Sequence, residues 1–347
     1  MYSSIQDINA LLSHDVYFSR SLAGNPAPLP GSKPPICIHF SSNGFFPELS
    51  IVMPIYNQEF LIERVLDGIA EHTLGNYELI LIVDACSDMT EQKVLSWVER
   101  KRGQVDSICR CLIIRSETPL FECAADNIGF ALSRSNYCLE IQADLIMTET
   151  GYNHTLVRPF QLRDDVIGVS GRSSCGLYGD RAVGRAGIQV EHPYDASLSP
   201  SIFYVHETCI RGPLLLDRRK LEVLGFLDEQ NFYLDNSDHD LFVRAWHHHQ
   251  WICGYVPINF ETCLADGSTR KKRDPLNQLF LEQRKLRGGN GFYHLNHAKY
   301  RPRPQSFISL VDGTQTYSRS SLKQRARSAL RSARTSVANL RKRFNAG

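Results

Sequence analysis

The feature that most constrains the fold is a regular alternation of short apolar runs and amphipathic stretches between residues 49 and 144. The apolar runs are typical of strands buried on both faces of a parallel sheet, and they cover residues 49–54, 77–83, 111–114 and 137–141. The intervening stretches show helical patterns over residues 59–72, 90–102 and 122–133. This alternation predicts an α/β fold with helices on both faces of the sheet.

Polar residues follow three of the predicted strands, at 54–57, 84–88 and 142–144. Ligands of such folds bind at the carboxyl ends of the parallel strands, so we expect these three segments to line one crevice.

The pattern changes after residue 150. Residues 151–200 are irregular and rich in Gly and Ser, which predicts loops that cover or complete a site. Residues 209–216 then resemble a strand, residues 221–226 a short helix with a turn, and the acidic turn 234–240 opens a further helix.

Composition indicates a globular protein, since 42% of the 347 residues are apolar and 22% are charged. No apolar run reaches 18 residues, and the first 30 residues lack the basic start and apolar stretch of a signal peptide. We therefore expect a cytoplasmic protein. The ten cysteines include no C-x-x-C pair, which favours reduced and mostly buried thiols.

Charge is concentrated at the C-terminus. Residues 318–347 hold nine Lys or Arg and no acid, which leaves 30 basic and 37 acidic residues before them, a net charge of −7. This asymmetry argues against a nucleic-acid-binding body. The tail has apolar residues at helical spacing, so it suits either contact with an anionic membrane at its inner face or packing on protein.

Five motifs, in this order, resemble the inverting glycosyltransferases of family 2: PIYN at 54–57, VDACSD at 83–88, DNIG at 126–129, IQAD at 141–144 and NSDHDLFVRA at 236–245. The resemblance implies a GT-A fold over residues 48–270, with a mixed, mostly parallel sheet flanked by helices. The rest of the chain would form an N-terminal extension (1–47), a loop or closing segment (271–317) and a basic amphipathic helix (318–347).

The resemblance also implies a set of donor-binding residues, with Asp84 accepting a hydrogen bond from the nucleotide base: Pro54, Tyr56, Asn57, Glu59, Asp84, Asn127 and Gln142. Asp144 matches the last acid of the Asp-x-Asp signature and would bind Mn²⁺ or Mg²⁺. Gln142 replaces the first acid, so we expect weaker metal binding.

Asp238 aligns with the catalytic Asp of the family and would act as the general base. The resemblance thus implies transfer of one sugar from a nucleoside-diphosphate sugar, with a UDP-sugar favoured, to a saccharide or lipid-linked acceptor. The sequence contains no apolar run long enough to span a membrane and no Q-x-x-R-W signature, which favours transfer of a single sugar.

Other interpretations stay open. Ala85, Gln142 and Ser237 replace commoner acids, as expected of a catalytically weakened nucleotide-sugar-binding or partner protein. A nucleotidyltransferase is disfavoured because the first strand is not followed by a Gly-rich loop. Several motif residues also have structural alternatives: Asp144 suits a turn, and residues 235–240 suit a helix N-cap.

Four further features allow the following interpretations. His247 to His249 would form a solvated helix end, and Asp240 would orient Arg244 or His239. Asp266 or His294 would be a third metal ligand. The basic run 270–273 suits either a mobile loop over the diphosphate or a solvated charge run.

Overall fold

The computed structural model describes residues 32–39, 46–117, 119–177, 183–184, 197–234, 236–262, 290–299, 303 and 305–318. The helices in this part of the chain are α1 (Ile62–His72), α2 (Thr90–Lys101), α3 (Phe121–Leu132), α4 (Tyr152–Leu162), α5 (Arg218–Leu224), α6 (Ser237–His249) and α7 (Phe292–Asn296), with a 3₁₀ turn at His297–Lys299. The first eight strands are β1 (Ser32–His39), β2 (Leu49–Ile55), β3 (Tyr77–Asp84), β4 (Ile108–Ser116), β5 (Tyr137–Glu140), β6 (Leu145–Met147), β7 (Val166–Ser170) and β8 (Ser173–Cys175). The others are β9 (Val183–Gly184), β10 (Ile202–His206), β11 (Thr208–Cys209), β12 (Leu214–Asp217), β13 (Ile252–Tyr255), β14 (Phe260–Thr262), β15 (Ser306–Ser309) and β16 (Gln315–Tyr317).

One large mixed sheet organises the described residues, in the order β1-β4-β3-β2-β5-β12-β7-β13-β10-β15-β16. Neighbouring strands β4, β3, β2 and β5 are parallel, as are β7 and β13. The remaining pairs are antiparallel. The predicted mixed sheet flanked by helices is confirmed.

Side chains alternate between two cores, one on each face of the sheet, because successive strand residues point to opposite sides. In β2, Ile51 and Met53 pack in the core that α1, α2 and α4 cover, while Val52 packs in the core that α3, α5 and α6 cover. Both faces of the parallel strands are therefore apolar, which explains their continuous hydrophobic runs.

Helix α3 packs directly on β2. A Cβ at Gly129 would stand 2.2 Å from Cγ1 of Val52, so a side chain at this position would force the helix off β2. Glycine here sets the depth at which α3, and the polar residues of its first turn, sit against the strand ends.

The observed elements differ from the sequence-based expectation in three places. Residues 151–200, expected to be irregular, contain α4 and β7; Pro159 inside α4 and Gly168 inside β7 obscure both patterns. The strand expected over residues 209–216 is two strands, β11 and β12, which belong to different sheets and flank a cis Gly212–Pro213 peptide.

The third difference concerns the two flanking segments. In the N-terminal extension, β1 adds an antiparallel edge strand beside β4. In the closing segment, β15 pairs with β10 and β16 with β15, because the edge strand β10 leaves backbone groups that a further strand can satisfy. Both segments thus extend the main sheet.

None of the helices in the described part of the chain combines the length and apolarity needed to cross a bilayer. The eight cysteines whose side chains are described form no disulfide.

Candidate functional site

The candidate site lies at the carboxyl ends of β3, β2 and β5, which are adjacent and parallel. Beyond the register pair Val52 and Glu140, the chain continues from β5 into the turn 142–144 beside the end of β2. Two strand spacings, roughly 10 Å, separate this turn from the end of β3. The three polar segments predicted to share a crevice therefore meet at one edge of the sheet.

The loops after β2 and β3 are hydrogen-bonded to each other. Asn57 accepts a bond at its Oδ1 from the backbone N–H of Ser87, at 2.8 Å. The backbone N–H of Glu59 donates to Asp88 at 3.2 Å, and the Glu59 carboxylate accepts from the N–H of Met89 at 3.1 Å. Asn57 and Glu59 thus build a rigid two-loop edge, next to the half-buried Pro54 and Tyr56.

Asp84, at the end of β3, binds the start of α3. Its two carboxylate oxygens accept the backbone N–H groups of Leu120 at 2.7 Å and Phe121 at 2.9 Å. Leu120 is right-handed and Phe121 left-handed (φ 64°), the alternation that turns successive N–H groups toward one anion. Burial raises the pKa of Asp84 to about 6, although the two backbone bonds lower it.

Gln142 is held at both ends of its carboxamide. Its Nε2 donates to Glu122 at 2.6 Å, and its Oε1 accepts from Arg172 at 3.3 Å. A Cβ at Gly212 would lie 2.7 Å from the same Oε1, so the amide packs directly on that backbone. The residue that replaces the first acid of the signature is therefore fixed by protein contacts.

Behind Gln142 lies a buried charge cluster that the sequence interpretation missed. Carboxylate oxygens of Glu122, Asp126 and Glu140 lie within 4.8 Å of one another. Arg211 contacts Asp126 at 2.5 Å and Glu122 at 3.1 Å, and the backbone N–H of Gly212 donates to Glu140 at 2.8 Å. One guanidinium thus faces three carboxylates.

Burial and mutual repulsion favour the protonated forms of Asp126 and Glu140. Burial, followed by the charge of Glu140, raises the pKa of Asp126 well above its usual value. Burial also raises the pKa of Glu140 to about 8, against the lowering effect of Arg211. The cluster already holds a cation in Arg211, so it is poorly suited to take a metal ion as well.

Asp144 is the acid best suited to a metal ion at this edge. It is half-buried in the turn after β5 and directly precedes β6. A hard divalent cation needs one or two carboxylates when phosphate oxygens supply further ligands, so this single acid fits such an ion. Gln142, whose Oε1 faces Arg172, adds no charge.

Asn127, predicted to bind the donor, has a structural role in this structure. It is fully buried, its Nδ2 donates to the carbonyl of Leu227 at 2.9 Å, and its Oδ1 accepts the N–H of the same residue at 3.0 Å. A third bond joins Nδ2 to Glu229 at 3.2 Å. Asn127 therefore fastens the turn after α5 to α3, away from any exposed surface.

Asp238 lies in the first turn of α6, with 9% of its surface exposed. Its Oδ1 accepts the backbone N–H of His239 at 2.8 Å. The Asp238 charge contributes to the raised pKa values of Cys175, about 11, and Cys209, for both of which burial is the larger cause. Asp238 therefore faces the small sheet β11-β8-β9.

Asp240 has the orienting role considered for it. It is fully buried, accepts from Arg244 at 2.6 Å and accepts the backbone N–H of Tyr293 at 2.8 Å. Arg244 in turn donates to the carbonyls of Leu224 and Phe226. This pair ties α6 to the end of α5 and to α7.

The remaining residues singled out from the sequence lie as follows. His247 to His249 are exposed at the end of α6, as expected, and His294 stacks on Phe232 with ring centroids 5.6 Å apart. Asp266, the basic run 270–273 and the tail 319–347 lie outside the described residues.

Sequence signals for the missed cluster exist, although they are weak. Glu122 and Asp126 are four residues apart and so share one helix face, and Glu140 interrupts an apolar strand. A lone acid in a buried strand needs a partner, but nothing local identifies it as Arg211, 71 residues later.

Comparison with known proteins shows the following similarities. The model of glycosyl transferase family 2 matches residues 50–225, just over half of the chain. No curated protein matches at a significant level. Among solved structures, the chain is similar to the mannosyltransferase PcManGT from Pyrobaculum calidifontis in complex with GDP-Man and Mn²⁺, with 14% identity, 86% of this chain and 77% of that chain covered, and a TM-score of 0.48.

Two further similarities are to S. aureus TarS 1-349 in complex with UDP and to GalNAc-T7 with UDP, GalNAc and Mn²⁺. The TarS match has 14% identity, covers 61% of this chain and 58% of that one, and has a TM-score of 0.42. The GalNAc-T7 match has 15% identity, covers 62% and 43%, and has a TM-score of 0.45. The chain thus spans less than two thirds of these two proteins.

Proposed function

Because the chain belongs to glycosyl transferase family 2 and has the GT-A fold, we propose that it moves one sugar from a nucleoside-diphosphate sugar to a saccharide or lipid-linked acceptor. A UDP-sugar is the favoured donor. The observation that carries the proposal is the convergence of the loop 56–59, Asp84 and the turn 142–144 at one edge of the sheet.

Donor recognition is assigned to the cross-bonded loops and Asp84. Each carboxylate oxygen has two acceptor positions, and the backbone of Leu120 and Phe121 uses one on each. Asp84 can therefore accept a base N–H without releasing α3. The Asn57 to Ser87 and Glu59 to Met89 bonds hold the neighbouring loops in place for the base and ribose.

Asp144 would hold Mn²⁺ or Mg²⁺ through its carboxylate. The bound ion would offset the negative charge that develops on the diphosphate leaving group. Gln142 would orient the ribose side of the donor through the amide that Glu122 and Arg172 fix.

Asp238 is proposed as the general base that takes the acceptor hydroxyl proton during attack on the anomeric carbon. A single displacement of this kind inverts the anomeric centre. Its position in the first turn of α6, at the edge of the small sheet, supports this role because the carboxylate is held without an ion pair among the described residues.

The proposed roles are separable by substitution. Asp144→Ala removes the proposed metal ligand. Nucleotide affinity in Mn²⁺ and the rate of nucleotide release from the nucleotide sugar should therefore both fall at least about tenfold. Asp238→Asn keeps its shape and should leave nucleotide affinity within about twofold of wild type while lowering transfer by at least about a hundredfold. Calorimetry with UDP and GDP, and nucleotide release from their sugars, measure the two effects.

Asp106→Asn, the same change at an exposed loop position, serves as the matched control and should alter neither quantity. Transfer by Asp238→Asn at the wild-type rate would refute the base assignment.

A second candidate function is a nucleotide-sugar-binding or partner protein with weakened catalysis. It is favoured by the neutral Gln142, whose carboxamide is bound by Glu122 and Arg172. Mn²⁺-dependent turnover of any nucleotide sugar would exclude it. Membrane contact through residues 318–347 and an inner-face location remain predictions from the sequence.

A further inference from the structure

Gln142, the neutral residue of the turn 142–144, has a partner that explains why an amide stands at this position. Gln142 donates to Glu122 over 2.6 Å, which is a short hydrogen bond for an N–H donor. Glu122 belongs to the first turn of α3, 20 residues before Gln142 in the chain. An acid at position 142 would bring a second carboxylate toward this one, which like-charge repulsion opposes.

Glu122 is itself anchored from behind. Its other oxygen lies 3.1 Å from Nη2 of Arg211, and the same nitrogen donates to the carbonyl of Leu234 at 2.8 Å. Ser237, the first residue of α6, also donates to that carbonyl at 3.1 Å. The position of Glu122 is thus tied to the segment that leads into α6.

Exposure distinguishes Glu122 from the other two acids of the cluster. Glu122 keeps 17% of its side-chain surface exposed, whereas Asp126 and Glu140 are fully buried. It is therefore the member of the cluster that borders the donor edge.

We infer that Glu122 is a positioning residue of the donor site, where it fixes the Gln142 carboxamide so that the two side chains act as one hydrogen-bonded unit. This inference rests on the proposed function. The unit would present a fixed amide to the donor, and the negative charge absent from position 142 is carried by the neighbouring helix instead.

Exchanging the side chains at positions 122 and 142 tests whether they act as one hydrogen-bonded unit. Glu122→Gln cannot satisfy both neighbours, because an amide that accepts from Gln142 turns its own NH₂ toward Arg211. Gln142→Glu sets two carboxylates against each other. In the double variant Glu122→Gln/Gln142→Glu, the amide at 122 donates to the new acid and still accepts from Arg211, and the acid accepts from Arg172.

Affinity of the full chain for UDP and GDP in Mn²⁺, measured by calorimetry, is the readout. Each single variant should weaken binding of the nucleotide that wild type binds by about tenfold, and the double variant should return to within about threefold. The inference would be overturned if the losses of nucleotide affinity of the two single variants simply added in the double variant. It would also be overturned if Glu122→Gln bound the nucleotide with wild-type affinity.

Two controls keep the result interpretable. Glu63→Gln makes the same change in the first turn of α1, where Glu63 pairs with Arg100 at 2.8 Å, and should leave nucleotide affinity unchanged. Thermal unfolding shows whether each variant is folded at the assay temperature. Failure of wild type to bind either nucleotide would count against the proposed function, whereas wild-type binding without coupling would count against this inference alone.

Discussion

Asp84 combines two tasks in one carboxylate, since it binds the start of α3 and is assigned to base recognition. Both of its oxygens accept backbone N–H groups, and the residue is nearly buried. With a pKa raised to about 6 by burial, Asp84 gains a proton in mildly acidic solution. Base recognition through this residue should then be sensitive to pH in a range where most carboxylates stay ionised.

We expect nucleotide affinity to fall as pH decreases through about 6, because protonation removes an acceptor from Asp84. In Asp84→Asn, nucleotide affinity should no longer decrease at low pH. The free energy of unfolding of this variant should be about 1–3 kcal/mol lower than that of wild type, because its NH₂ faces the N–H of Leu120 or Phe121. Calorimetry from pH 5 to 8 and denaturant unfolding measure both. If the affinity of the variant still decreased at low pH, the group that titrates would not be Asp84.

Residues were predictable from sequence where their role depends on the strand end that carries them. Asp84, Asp144 and Asn57 were placed at the observed edge because each lies within three residues of the end of a strongly apolar run. The structural contacts of Asn127 were not predictable, because its partner Leu227 lies 100 residues away. A motif gives the position of a residue in the chain, but burial decides whether its side chain faces a ligand.

At the scale of elements, α3, β5 and the segment before β12 meet in the buried charge cluster. Asp126 on α3 and Glu140 on β5 both have raised pKa values, for which burial is the largest cause. An acid with a raised pKa binds its proton more tightly in the folded state than in the unfolded state. Its contribution to stability is therefore greatest at low pH and is lost as pH rises toward the folded-state pKa.

Glu140→Gln should relieve this pH-dependent cost. The contribution of Glu140 to stability is lost between its ordinary pKa of 4.5 and its folded-state pKa of about 8. The amide keeps an oxygen for the N–H of Gly212 and carries no charge, so the variant's melting temperature relative to wild type should rise by about 3 °C between pH 5 and pH 8. Thermal unfolding at both pH values tests this, with Glu63→Gln as the control. A constant difference would contradict the assignment.

Element boundaries were predictable where apolar periodicity is undisturbed. Helix α2 and strand β3 match their patterns almost to the residue, because their apolar positions repeat without interruption. Helix α4 was missed since Pro159 lies inside it, and β12 was merged with β11 since only the four residues 210–213 separate them. Local patterns cannot show that the chain changes sheets.

At the scale of the molecule, the main sheet joins a run of parallel strands to a region of mixed strand directions. The parallel strands β4, β3, β2 and β5 carry the proposed donor edge. Beyond them, β12 runs antiparallel, and β7, β13 and β10 continue the sheet toward the region that carries α6 and Asp238. The order of the motifs was predictable, but this pairing of distant strands was not, since it depends on contacts far apart in sequence.

We propose that this arrangement of strands binds a nucleoside-diphosphate sugar with a divalent ion and transfers the sugar. The most direct measurement is a thermal-shift and nucleotide-release screen of UDP-, GDP- and dTDP-sugars against the full chain, with and without Mn²⁺. We expect one nucleotide series to raise the melting temperature and to release its nucleoside diphosphate in Mn²⁺, and we expect Asp144→Ala to lose both responses. The absence of any shift or release across all three series, with Mn²⁺ present, would contradict it.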